Sequence, residues 1–193
     1  MKKKIVLFAS GNGSNVERIC DYFSSNKMLE VYKVFTNNKN AKVLDRIIPY
    51  DIPGECFSRE EFKGGVVTTL LKKINPDLIV LAGFLWKVPL SMVMTFPNLI
   101  INIHPSLLPK YGGKGMYGSH VHQAVKLNQE KETGITIHYV NENYDEGAVI
   151  FQKSVEIYET DSPFSIAQKV HQLEHTHFPV VIEQLLFKTL ISG

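Results

Sequence analysis

The strongest constraint on the fold is the alternation of short apolar, β-branched runs with segments of helical period. Ile5-Val6-Leu7-Phe8-Ala9 is apolar without a break, as a strand buried on both faces must be. After Ser10-Gly11-Asn12-Gly13-Ser14-Asn15, residues Val16, Ile19, Cys20 and Phe23 recur at i, i+3, i+4 and i+7, one stripe of an amphipathic helix. Val31 to Phe35 reads as a second strand, Leu78 to Leu81 as a further buried one, and Leu99 to Ile103 as another that Pro105 stops, because proline cannot donate to a ladder. Strands separated by helical stretches argue for βαβ units, hence an α/β fold with a mostly parallel twisted sheet and helices on both faces.

Local signals refine this. Ser58 and Glu61 have capping-box spacing ahead of Phe62, Val66, Leu70 and Ile74, so one helix is expected there in spite of Gly64-Gly65. Residues 105–118 carry two prolines and four glycines, the mark of a long and commonly functional loop. Beyond it Ile135, Ile137 and Tyr139 alternate with Thr136, His138 and Val140, and Asn141 to Gly147 supplies turn chemistry before Val149-Ile150-Phe151. That pattern predicts an antiparallel edge hairpin. Ser162-Pro163 is a cap followed by proline at the first helical position, and Pro179 is expected to end or kink the helix it starts.

Composition then excludes several classes. With 21 Lys+Arg against 19 Asp+Glu in 193 residues the formal charge is +2, too small for a strongly basic nucleic-acid binder. Lys2 to Lys4 reads as a solvated chain end rather than a nucleic-acid arm. The start imitates a secretory leader, but its apolar run is cut at Ser10-Gly11, short of the roughly 7–15 residues such a leader needs. Two cysteines, Cys20 and Cys56, make no disulfide framework, and no apolar stretch approaches the ~20 residues of a membrane span. A cytoplasmic single domain over 1–193, without membrane or nucleic-acid partner, is the expectation. Its halves divide at about residue 100.

Three places could carry chemistry. Ser10 to Asn15 lies between a strand and a helix, where glycines allow close approach and orphan N–H groups favour an anion. A dinucleotide fingerprint is disfavoured, since Val16 occupies its third glycine position and Thr36-Asn37-Asn38 offers no acid to a ribose. A phosphate site using Gly13, Ser14 and Asn15 fits better than an empty turn. Next, Asn102 and His104 are two residues apart at the carboxyl end of a strand, so they share a face about 6.6 Å apart. An amide donor beside an imidazole suits acyl transfer, the amide meeting an oxyanion and the imidazole moving protons. The alternative is a polar strand end that only satisfies loop backbone. Asp145 could orient the His104 ring, or merely shape its own turn. All seven histidines lie at position 104 or later. His120-x-His122 and His175-x-His177 would place their side chains on different helix faces, and no cysteine cluster accompanies them, so no metal is expected.

Taken together, the motifs resemble the folate-dependent phosphoribosylglycinamide formyltransferases. Ser10 to Asn15, Leu81-Ala82-Gly83-Phe84, Asn102-Ile103-His104-Pro105-Ser106-Leu107-Leu108-Pro109 and Gly134-Ile135-Thr136-Ile137-His138, the last leading to Tyr144-Asp145-Glu146-Gly147, stand in the family's order and cover nearly the whole chain. The resemblance implies a Rossmann-like formyltransferase fold, 10-formyltetrahydrofolate as formyl donor, glycinamide ribonucleotide as acceptor and a place in purine biosynthesis. It implies Asn102, His104 and Asp145 as the catalytic set. Gly13, Ser14 and Asn15 would hold the acceptor's phosphate and Glu174 its ribose, with His171 near the phosphate. Arg59, Leu85, Trp86, Lys87, Val88, Asn141, Glu142, Asn143, Tyr144 and Asp145, together with Asn102, would line the folate pocket. The N-terminal half would be the phosphate-binding one and the C-terminal half the catalytic and folate-binding one, in a monomer or homodimer.

This sequence departs from the family pattern in two places. Trp86-Lys87 stands where many relatives have arginine, and the 111–118 loop is unusually rich in glycine, which predicts a mobile cover for the folate site. Methionyl-tRNA formyltransferases and formyltetrahydrofolate deformylases share the Asn-x-His…Asp core but carry an additional domain, for which 193 residues leave no room. Sugar-nucleotide formyltransferases share that core as well, and the phosphate loop favours a small phosphorylated acceptor. A non-enzymatic nucleotide-binding module is the reading of a different class.

Overall fold

A computed structural model describes residues 2–187. Among these residues seven strands form one sheet in the order β3-β2-β1-β4-β5-β6-β7: β1 (Lys3–Ala9), β2 (Leu29–Thr36), β3 (Gly54–Cys56), β4 (Leu78–Leu81), β5 (Ile100–His104), β6 (Glu132–Tyr139) and β7 (Val149–Glu156). The pairs β1/β2, β1/β4, β2/β3 and β4/β5 are parallel, and β6/β7 is antiparallel. The expected α/β class with an antiparallel edge is therefore the observed one. The chain divides between Asn102 and Ile103 into two compact units.

The first unit is organised by β1 and β4. Ile5 to Ala9 and Ile79 to Val80 are buried almost completely, as central parallel strands covered on both faces must be. Helix α1 (Ser14–Phe23) buries Val16, Ile19, Cys20 and Phe23, the stripe read from the sequence. Phe8 stacks on Phe35 with ring centroids 5.1 Å apart, and Phe57 on Phe62 at 5.0 Å. Burial raises the Cys20 thiol to about 12, which leaves it unreactive at neutral pH. The short helices α2 (Val43–Arg46) and α5 (Leu90–Thr95) complete this unit with the two helices that follow Ser58.

Ser58 caps as expected, accepting from the Glu61 N–H while the Glu61 carboxylate accepts from the Ser58 N–H. The single helix expected after it is two, α3 (Arg59–Lys63) and α4 (Val66–Ile74). Gly65 adopts φ +85, a left-handed turn that ends one helix and resets the phase of the next. Val67, Thr68 and Leu71 are consequently the buried residues of α4, and Val66, second in the expected stripe, is exposed.

In the second unit, helix α6 (Ser119–Leu127) packs against α7 (Pro163–Phe187). Val121, Val125, Ile157 and Ile166 form a core cluster there, with Tyr111 and Met116 packed on it. Ser162 caps α7 through its hydroxyl, which accepts from the Ser165 N–H. Pro179 does not end this helix, which continues to Phe187 with Pro179 buried inside it. Burial of Phe178, Val181 and Ile182 around the proline outweighs the lost backbone bond. Residues 105–118 form the long connection expected. No helix among the described residues is long and apolar enough to cross a membrane.

Candidate active site

The end of β1 in the first unit is made of backbone. Gly13 takes φ +76, and a Cβ there would fall 2.5 Å from Val43 Cβ, so only glycine suits the turn that starts α1. Arg46 on α2 holds the loop from outside, donating to the Asn12 carbonyl at 2.8 Å and to Asn12 Oδ1 at 3.1 Å while pairing with Glu17. The Val43 N–H donates to the Gly11 carbonyl at 3.2 Å. Gly13, Ser14 and Asn15 thus sit at a braced helix N-terminus, an environment that favours an anion.

The same unit holds Arg59 over the ring of Trp86, 4.8 Å from its centroid. Trp86 in turn meets Phe57, Phe62 and Phe84 at centroid distances of 6.0 to 6.3 Å. Leu85 is exposed and its N–H donates to the Ser10 hydroxyl at 2.9 Å. Lys87 is exposed, whereas Val88 is buried.

Strand β5 carries Asn102, half-buried, and His104, buried. The turn after His104 is pinned by one cross-strand pair of the hairpin, Thr136 and Gln152. The Thr136 hydroxyl donates to the Ser106 carbonyl at 2.7 Å and accepts from the Leu108 N–H at 3.0 Å. Gln152 Nε2 donates to the Leu108 carbonyl at 3.0 Å. Ser106 donates to the Lys110 carbonyl at 2.6 Å. A rigid turn therefore delivers the next residue, Tyr111, to His104.

His104, Asp145 and His138 meet in this second unit. His104 Nδ1 lies 3.5 Å from Asp145 Oδ2, and His138 Nε2 lies 3.6 Å from Asp145 Oδ1. The Gly113 N–H donates to Asp145 Oδ2 at 2.9 Å. His104 Nε2 donates to the Tyr111 carbonyl at 2.7 Å and His138 Nδ1 to the Tyr139 carbonyl at 2.8 Å, since a carbonyl oxygen only accepts. Each histidine thus directs one N–H to backbone and turns its other nitrogen to one shared carboxylate. Burial by itself would raise Asp145, but His138, His104 and the Gly113 N–H together hold it below the usual carboxylate range. Burial pushes His104 below its ordinary value, against the pull of Asp145 and the Tyr111 carbonyl. The resting pair is a neutral imidazole beside a carboxylate, which can take up a proton and give it back.

Glu174 is buried on α7, and His171, exposed, stacks on His175 with centroids 6.4 Å apart. Asn141 to Tyr144 form the turn before Asp145, where the Asn143 N–H donates to Asn141 Oδ1 and Asn143 Nδ2 to Glu146. His138 and Tyr111 are the two participants that motif reading passed over. Strand alternation places His138 on the face of Thr136, which is the signal that could have found it. No group of histidine, cysteine or carboxylate side chains suited to a metal exists among the described residues.

The formyl transferase family matches residues 3–182. The chain belongs to that family. It is 36% identical to the phosphoribosylglycinamide formyltransferase of Bacillus subtilis (strain 168), over 95% of both chains. It is also 36% identical to the chloroplastic enzyme of Arabidopsis thaliana, over 94% of this chain and 64% of that one, and so spans less than two thirds of the plant protein's length. The crystal structure of phosphoribosylglycinamide formyltransferase from Bacillus halodurans superposes with a TM-score of 0.88 at 32% identity, over 97% of both chains. The formyltransferase class and the fold expected from the motifs are therefore those the relatives have.

Proposed function

We propose that this formyltransferase moves the formyl group of 10-formyltetrahydrofolate to the amine of glycinamide ribonucleotide, yielding formylglycinamide ribonucleotide and tetrahydrofolate in purine biosynthesis. The observation that carries the reading is the buried His104–Asp145 pair at the end of β5, two residues beyond an asparagine on the same face. Gly13, Ser14 and Asn15 bind the acceptor phosphate, Glu174 its ribose hydroxyls, and His171 assists with the phosphate. Arg59, Leu85, Trp86, Lys87, the Val88 backbone, Asn102 and Asn141 to Asp145 receive the folate. Both ligands are small molecules and no metal takes part.

In the proposed reaction the amine attacks the formyl carbon and Asn102 receives the developing oxyanion, which His104 joins in stabilising once it has taken up a proton. His104 Nδ1, resting without a proton, accepts one from the attacking nitrogen. Asp145 stabilises the resulting imidazolium. His104 then returns the proton to the folate nitrogen as the carbon–nitrogen bond to the donor breaks and the formamide is released. Burial favours the neutral ring, so in this reading His104 is base first and acid second.

The test is direct: mix the protein with both substrates and follow the folate absorbance. Acceptor-dependent change supports transfer. Change without acceptor indicates deformylation, and no change with either indicates a binding module.

A further inference from the structure

The reading above places His104 at the reacting centre, and the inference here rests on that placement. It concerns what makes Nδ1, rather than Nε2, the working nitrogen. In a neutral imidazole one nitrogen carries the proton and the other the lone pair, and the partner of one decides the state of both. Here Nε2 meets the carbonyl of Tyr111 at 2.7 Å, whereas Nδ1 stands farther, 3.5 Å, from Asp145 Oδ2, so the closer acceptor takes the proton.

Tyr111 does not present that carbonyl by relaxed geometry. Its φ is +57, the left-handed region that side chains with a Cβ rarely adopt and that persists only where surroundings hold it. The holding groups are visible. The Tyr111 phenol donates to Glu130 Oε1 at 2.9 Å and accepts from Asn128 Nδ2 at 2.9 Å. Lys110 Nζ closes on both Glu130 oxygens at 3.0 and 3.1 Å. Asn128 is fixed by its own N–H, which donates to the Ala124 carbonyl at the end of α6. The Tyr111 ring packs on the Val121, Val125, Ile157 and Ile166 cluster. Next to it, a Cβ at Gly112 would stand 2.6 Å from Leu108 Cδ2 and 3.3 Å from Asp145 Cβ, so the chain beyond the carbonyl closes directly onto the carboxylate.

We infer that Tyr111 is a positioning residue for proton transfer: its phenol, anchored by Glu130 and Asn128, keeps the backbone left-handed, and the carbonyl so presented fixes the His104 proton on Nε2 and leaves Nδ1 for the reaction. Neither the phenol nor the carbonyl touches the reacting atoms. The charged and titratable groups around His104 are Asp145 from the β6–β7 connection, His138 from β6 and His122 from α6. None of them bonds to the Tyr111 hydroxyl, whose partners are Glu130 and Asn128.

The experiment uses the full chain with ¹⁵N-labelled histidine, wild type, Tyr111→Phe and Glu130→Gln. Tyr111→Phe keeps the packed ring and removes only the anchor. In the wild type, above the His104 titration, the ring nitrogens should report the Nε2–H tautomer. In Tyr111→Phe the tautomers should mix. Its kcat should fall by about 10–100-fold, the size usual for an outer-shell partner of a histidine. KM for either substrate should change by less than about twofold, as expected when binding contacts are untouched, and the acid limb of the pH–rate profile should shift. Glu130→Gln retains an acceptor for the phenol and should move the same readouts in the same direction by less.

A wild-type Nδ1–H tautomer would overturn the inference. So would Tyr111→Phe with unchanged tautomer, kcat and pH profile. If the wild type transfers no formyl group between the two substrates, the proposed function fails while the tautomer measurement still decides this point.

Discussion

The two places where polar chemistry gathers hold left-handed backbone in opposite ways. After β1 the left-handed residue is Gly13, for which φ +76 is unstrained. In the second unit the left-handed residues include Tyr111 and Asp145, both at φ +57, and each is held by its own side-chain bonds to Glu130, Asn128 and the Gly113 N–H. The first arrangement is a template of backbone dipoles that no ordinary pH change alters. The second stores strain in the groups that titrate, so geometry and protonation there are linked.

The sharpest way to break this contrast is to remove one side chain from the second region. His104→Ala should lower the transfer rate by ~10²–10⁴-fold, because it deletes both an oxyanion contact and the proton carrier. Retention of more than about a tenth of the rate would remove His104 from the mechanism, since one tenfold step is only ~1.4 kcal/mol. Asp145→Asn, which keeps the size and loses the charge, should fall within the same range.

The matching change in the first region is Gly13→Ala. It combines a disfavoured φ with a Cβ 2.5 Å from that of Val43, so urea unfolding should report a loss of about 1–3 kcal/mol. The KM for the phosphorylated acceptor should rise more than kcat falls. A variant with unchanged stability and unchanged KM would show that the loop tolerates a side chain, and the contrast would lose its first member.

Next is the pH response of the second region. Burial, with smaller contributions from His171 and His104, pushes His122 down to about 4. Its folded value lies below the unfolded value of about 6.5, so the neutral ring favours the fold. That stability is complete above about pH 6.5 and declines by up to about 3 kcal/mol as pH falls to about 4. His122→Leu should flatten this decline in denaturant titrations at several pH values. Equal slopes in variant and wild type would mean that His122 is not the group responsible.

The smallest effect concerns Trp86, which supports an exposed Arg59. Trp86→Leu should weaken the folate donor about two- to five-fold in KM, the equivalent of a cation–π contact of about 0.5–1 kcal/mol. Lys87→Ala leaves the Arg59–Trp86 contact in place and should cost less. If it costs as much or more, the ring over Arg59 does not carry the difference.

Much of this molecule is legible in the sequence because burial on both faces forces an unmistakable pattern. The positions of β1, β4 and β5, the stripe of α1 and the Ser58 capping box all follow from which residues must avoid water and which backbone groups need partners. Two features escape such reading. The α3–α4 break depends on Gly65 turning left-handed, which glycine permits without demanding. The passage of α7 through Pro179 depends on packing around it. At the site, the Asn102-x-His104 spacing is local and readable, whereas the pairing with Asp145 spans forty-one positions of chain and is set by the hairpin. His138 closes one of the motifs without being marked by it as a partner of Asp145, and Tyr111, outside every motif, meets His104 through a carbonyl. A backbone carbonyl is present at every residue, so only the fold tells which one matters.

The complete burial of β1 has one more consequence, for the chain before it folds. Ile5 to Ala9 is an uncharged run of strand-forming residues, the kind of segment through which unfolded chains stack on one another. Lys2, Lys3 and Lys4 stand directly before it. In the folded state Lys3 lies 3.7 Å from Asp77, both partly exposed, and Lys4 lies over Tyr32, contacts of small worth. Three like charges beside a sticky run are a guard against self-association. Replacing all three by glutamine should leave the rate per folded molecule unchanged and raise light scattering during refolding as protein concentration increases. Equal scattering would show that the lysines guard nothing.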